Sequence, residues 1–161
     1  MLFRSVTSVL VHFTTNSVRG PNFNVLVHDA AGAYVPYTPG PVRTYLGTVD
    51  GYPGAFACAL RKASGPIFCR VAFEDGTEWI STGGQASVLT DTWTPNWPGS
   101  VPGAGGAGSN IYAAEVGVDV KTLYYNATGG SAGALEMSEY SVISANLIYL
   151  RDAGIMHRLG R

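Results

Sequence analysis

The side chains able to do acid–base, nucleophilic or metal chemistry in this sequence are few and scattered. Its three histidines, His12, His28 and His157, lie far apart, each in or beside an apolar stretch. Metal binding from one local segment needs spacings such as H-x-x-x-H or C-x-x-C, and neither occurs. Ser, His and Asp fall in no recognisable triad order, and only geometry could assemble one from scattered residues. The Gly-rich run Gly103–Gly108 lacks the Lys-Ser/Thr that completes a phosphate-binding loop and precedes a strand pattern, not a helix. Glu74, Asp75 and Glu78 are close in sequence, but they flank an Asp-Gly turn, where solvated charges are the usual reading. The expectation is a protein without enzymatic activity, metal or cofactor.

Three further features bear on binding. Cys58 and Cys69 read as core thiols or as a cross-strand disulfide, and thiols are favoured for want of an export signal. Trp93 and Trp97, in the loop sequence Thr92-Trp93-Thr94-Pro95-Asn96-Trp97-Pro98, offer a stacking platform for a glycan, or else anchor their loop. The tail from Arg151 is the most basic segment. Its Ile155, Met156, His157, Arg158 and Leu159 read as an arm that docks on a partner.

Alternation with period two, broken by Gly, Pro, Asn and Asp, dominates the chain and predicts an all-β fold. A first strand is expected over Ser5–Thr14 and a second from Phe23, ended by the turn Asp29-Ala30-Ala31-Gly32. The hairpin Ala55–Phe73 is the clearest unit. Placing Phe56, Cys58 and Leu60 on one face with Ile67, Cys69, Val71 and Phe73 requires paired numbers with an odd sum. The expected pairs are Phe56 with Val71, Cys58 with Cys69 and Leu60 with Ile67, around a loop over Lys62–Gly65. Glu74-Asp75-Gly76-Thr77 predicts the next turn, and Tyr112 to Val120 a two-sided strand. Residues 136–150 satisfy a helical spacing through Tyr140, Ile143 and Leu147, with Gly154 as a cap, yet Val142, Ile143 and Ile148 prefer strands; strand is the reading taken. The boundaries that follow are a β-sandwich core over 1–91, a Gly/Pro-rich linker or long loop over 92–110, and C-terminal strands with a terminal arm over 111–161.

Composition narrows the role. Charged residues make up 13% of the chain and the formal net charge is -1, against roughly 25% charged in an average soluble protein. A surface so weakly charged, with 21 Gly and 9 Tyr, suits a protein covered by neighbours. The ten Lys and Arg are dispersed, so no basic footprint for nucleic acid exists. No apolar run has the roughly 18 residues of a membrane-spanning helix. The opening residues do not read as a signal peptide, because Ser, Thr and His interrupt the apolar ones.

Asn24-Val25-Leu26-Val27-His28-Asp29-Ala30-Ala31-Gly32-Ala33-Tyr34-Val35 resembles the strand, Asp-x-x-Gly turn and strand of carboxypeptidase-regulatory-like domains, which are transthyretin-like β-sandwiches. Gly54-Ala55-Phe56 and Arg70-Val71-Ala72-Phe73-Glu74-Asp75-Gly76 are similar to later strands of that family. The resemblance spans roughly Phe23 to Ser87. Asn110 to Val120 and Ser138-Glu139-Tyr140-Ser141-Val142 are similar to linked strands in phage-associated proteins. These resemblances imply a transthyretin-like or Ig-like antiparallel sandwich serving as a bacteriophage virion component: head decoration, tail fibre or baseplate. Its partners would be other virion proteins in a homo-oligomer or larger assembly, with no nucleic acid or membrane. It would be assembled in the host cytoplasm. The alternative is a carbohydrate-binding or adhesive module using Trp93 and Trp97.

Overall fold

A computed structural model describes residues 8–83, 86–90 and 111–160. Its centre is a six-stranded antiparallel sheet built from β1 (Val11–Thr15), β4 (Thr44–Val49), β5 (Tyr52–Arg61), β6 (Ile67–Ala72), β7 (Thr77–Thr82) and β8 (Ala86–Thr90). They lie in the order β1-β4-β5-β6-β7-β8, a meander with β1 on its outer edge. Between β1 and β4 the chain makes a separate hairpin of β2 (Leu26–His28) and β3 (Tyr34–Pro36). The fold is β-rich, as the alternation predicts.

Local turn chemistry sets these hairpins. Between β2 and β3, Asp29 accepts bonds at its side-chain Oδ1 from the N–H groups of Ala31 (2.9 Å) and Ala33 (2.8 Å). Gly32 takes φ 80° and closes the turn onto the Asp29 carbonyl. Asp75 and Gly76 act alike between β6 and β7, with Gly76 at φ 83° and Thr77 N–H bonded to Asp75 Oδ1 at 2.8 Å. Such positive φ suits Gly, which has no Cβ to clash.

The β5–β6 register corrects the expected one. Paired residues sum to an even number: Phe56 lies opposite Ala72, Cys58 opposite Arg70, Ala59 opposite Cys69 and Leu60 opposite Phe68. Cys58 and Cys69 therefore face opposite sides of the sheet and do not meet; both are free thiols. The turn decides this. Lys62 N–H bonds Pro66 O (3.0 Å), leaving only Ala63, Ser64 and Gly65 in the loop, with Gly65 at φ 114°. A three-residue loop shifts the register by one from a four-residue loop, and every side chain changes face. The alternation could not forbid this, because both faces are buried. One face carries Cys58 within a cluster with Val18, Ile143, Leu147 and Leu159. The other carries Ala55, Ala57, Val49, Val71 and Phe73, with Cys69 and Trp79 packed beside them.

The second correction is residues 136–150, which are helical. After β9 (Tyr112–Val116) come a short helix α1 (Thr122–Thr128), a long helix α2 (Ser131–Ala153) and β10 (Ile155–Leu159). The buried positions of α2 recur as Ala134, then Ser138 and Glu139, then Val142 and Ile143, then Asn146 and Leu147. That is a helical stripe, and it outweighs the strand preference of the β-branched residues, because burying Ile143 and Leu147 is worth roughly 1.5–3 kcal/mol each. Gly154, at φ 64°, ends the helix as the helical alternative anticipates. The strand expected to reach Val120 stops at Val116.

Candidate interaction site

β9, the two helices and β10 form a crossover unit, with β9 and β10 parallel from Ile155 opposite Tyr112 to Leu159 opposite Val116. A parallel pair requires such a connection, and a helix lying on the strands is its usual form. Ile155–Leu159, expected as a docking arm, is thus a strand of the chain's own small sheet. Leu159 is buried, and Ile155, Met156, His157 and Arg158 are half-buried.

The two edges of that sheet are unlike. Beyond β10, the backbone is bonded at each outward-facing position that follows. Asn146, 4% exposed on α2, accepts from His157 N–H at 2.7 Å and donates to His157 O at 2.9 Å, as a neighbouring strand would. Leu159 N–H bonds Val18 O (2.7 Å), and Gly20 N–H bonds Leu159 O (2.8 Å). Beyond β9, no strand is paired among the described residues. Tyr112 N–H bonds Gly154 O and Val116 O accepts from Gly160, so the even-numbered residues of β9 turn towards β10. Ala113 and Glu115 turn outward, and both are exposed.

Beside this open edge lies a groove of about 620 Å³. Val116 and His157 form its floor, Ser138, Ser141, Ala145 and Tyr149 on α2 one wall, and Val118 and Tyr124 the other. Large apolar groups of β9, the residue before it and α1 stay open: Leu123 is 85% exposed, Ile111 63% and Tyr112 60%. Helix α1 buries no residue. A seven-residue helix is far below the length that is stable alone in water.

α2 is fixed to the rest by ions and packing. Arg19 Nε–H donates to Glu139 Oε1 at 2.5 Å, and an Arg19 terminal N–H donates to Gly40 O at 2.8 Å. Glu139 is 1% exposed. Burial raises its carboxyl above the ordinary range, an effect opposed by the Arg19 bond and charge. Glu136 accepts from Ala63 N–H at 3.0 Å and lies 3.6 Å from Arg43. These pairs line a small cleft of about 110 Å³. Every carboxylate there has a cationic or N–H partner, so the cleft reads as a clamp between helix and sheet.

The other chemically suggestive residues are dispersed. His12 lies 3.4 Å from Asp50 at an exposed edge, His28 packs on Tyr34 at 4.1 Å, and His157 packs on Tyr149 at 4.6 Å. Glu78 is held by Arg70 at 2.7 Å. Among the described residues no three of His, Cys, Asp and Glu group together for a metal. Burial pushes the Cys58 thiol up to about 11 and raises Cys69 as well, the reverse of what a nucleophilic thiolate needs. Gly129-Gly130-Ser131-Ala132-Gly133 has the G-x-S-x-G spacing, which the reading of scattered Ser, His and Asp passed over. It follows a helix, not a strand, and the Ser131 hydroxyl meets the Tyr125 hydroxyl at 3.2 Å. It is therefore a helix–helix junction, without the strand–turn–helix of a nucleophile elbow. Trp93, Trp97 and the linker 92–110 lie outside the described residues.

The open edge and groove were not foreseen. The sequence signal that could have found them is the Val116–Val120 alternation continuing past Gly117 into Leu123-Tyr124-Tyr125, more apolar surface than one strand can bury. Comparison with family models, curated proteins and solved structures finds no match to this chain. No helix among the described residues is long and apolar enough to cross a membrane.

Proposed function

We propose that this protein is a non-enzymatic structural component of a bacteriophage particle, a head decoration, tail fibre or baseplate part, acting through protein–protein assembly. The observation that carries the assembly role is the apolar surface at β9 and α1, where Ile111, Tyr112, Val118 and Leu123 are each more than half exposed. Large apolar side chains exposed to that extent point to an interaction site, and the low charge of the chain leaves little to oppose association. The resemblance of Asn24–Val35 and Gly54–Gly76 to transthyretin-like modules supplies the virion setting. The deeply buried second face of the main sheet, at Ala55, Ala57 and Val71, supports the two-layered sandwich part of that reading.

The test is sedimentation of a lysate of the source cells, probed with antibody to the chain. Co-sedimentation with DNA-containing particles at a fixed ratio is expected. Recovery only in the slowest fractions, with particles lacking the chain, overturns the proposal.

A further inference from the structure

Resting on the assembly reading, we infer that the open edge of β9 is a self-association site, where a second copy of this chain pairs its own β9 across a two-fold axis and seats Tyr112 in the groove beside Val116. A two-fold axis normal to the sheet pairs a strand with itself in antiparallel sense. The backbone directions then narrow the register. Ala113 and Glu115 turn their N–H and C=O outward, so each can bond the other residue of the partner strand. An axis at Ala113 or Glu115 would also set outward groups face to face, but only one at Ala114 pairs both outward residues within β9.

The register agrees with the side chains in three ways. Ala114 meets its own copy at a non-hydrogen-bonded pair, where Cα atoms approach to about 4.5 Å and a small residue fits best. Glu115, the one charged residue of β9, lies opposite Ala113 instead of its own copy, so no like charges oppose. Tyr112 lies opposite Val116 of the other copy. Val116 lines the groove, and Tyr112 is in the same alternation on the strand, so each ring is presented to the groove of its neighbour.

The helices leave the pairing unobstructed. Two copies make a four-stranded sheet β10-β9-β9-β10 with an α2 from each on one face. α2 lies against β10 and reaches its outer edge through Asn146, so strands about 4.8 Å apart set the two helices roughly 14 Å apart, clear of the new seam. The groove wall on α2 carries Ser138, Ser141 and Ala145, small enough to leave room for an incoming Tyr112 ring. Ile111, Tyr112, Val118, Leu123, Tyr124 and Tyr149 together leave on the order of 800 Å² open, an upper bound that reaches the share each partner contributes to a standard interface.

The experiment combines light scattering with cysteine cross-linking. The wild-type chain should run as a dimer or a multiple of it. Ala114→Cys should form a disulfide-linked dimer under mild oxidant, and Ala113→Cys, whose partner is Glu115, should not. Tyr112→Ser should weaken dimerisation roughly 30-fold or more, the effect of removing an aromatic anchor, with circular dichroism unchanged because Tyr112 is largely exposed in the single chain. Equal cross-linking by the two cysteine variants, or an undiminished dimer in Tyr112→Ser, overturns the site. A monomeric wild-type chain that still co-sediments with particles overturns self-association and leaves the assembly reading standing. A monomer absent from particles ends both.

Discussion

Replacing Arg19 with Met keeps most of the apolar stem but removes the guanidinium from Glu139 and from Phe23, whose ring centroid lies 5.2 Å from the guanidinium carbon. Glu139 is 1% exposed, so its carboxylate would stay buried without a counter-charge. Breaking a buried pair from one side costs about 3–5 kcal/mol, a large part of the roughly 5–15 kcal/mol that holds a typical domain. Urea unfolding of wild type, Arg19→Met and the double variant Arg19→Met/Glu139→Gln measures it. The single variant should lose that amount, and the double variant should recover at least ~2 kcal/mol of it, because an amide in place of the carboxylate buries no charge. The pH dependence has a definite sign. The folded carboxyl is raised above 4.5, so its contribution to stability is full below that value and is lost as pH rises through the folded one. Both influences that lower it come from Arg19, whereas Glu136, itself 3.6 Å from Arg43, raises it. In Arg19→Met the folded value moves further up. The stability gap to wild type should therefore close as pH falls from neutral towards 4.5. A loss under ~1 kcal/mol, the worth of an exposed pair, or a gap independent of pH, would refute the reasoning.

Two more outcomes are expected. Asn146→Ala orphans the N–H and C=O of His157, both bonded to that side chain; a loss of about 2–3 kcal/mol should appear with faster amide exchange at His157, and unchanged exchange there would mean water replaces the amide without cost. Above pH 9.0 the unfolded Cys58 ionises while the folded thiol holds its proton to about 11, and Tyr140 behaves alike between 10.0 and about 12. Stability should fall by about 3 kcal/mol for Cys58 across that window, at about 1.36 kcal/mol per pH unit, and Cys58→Ala should flatten the slope between pH 9.0 and 10.0. The same alkaline slope in both proteins would place the titrating group elsewhere.

What the chain declares locally, it declares well. The turns at Asp29–Gly32 and Asp75–Gly76 need only their own side chains and a glycine at positive φ, so their residues alone announce them. The strands they join follow from alternation. The β5–β6 register lay beyond any local pattern, because apolar residues line both faces and a loop one residue shorter decided which set faces which side.

Tertiary structure decided the rest. Val142, Ile143 and Ile148 favour a strand by themselves, yet the buried stripe through Ala134, Ser138, Ile143 and Leu147 matches one side of a helix once a sheet lies beneath it. The role of Asn146 appears only when β10 arrives under α2 and presents a bare peptide group to it. The apolar tail at Ile155–Leu159 reads in sequence as an arm for another molecule, and no local feature separates that from pairing with its own chain. It pairs with β9, on the far side of both helices in the chain, and leaves the opposite edge of β9 open among the described residues. Composition and turn chemistry are properties of neighbours in the chain, whereas the partner of a strand edge depends on what the whole fold brings beside it.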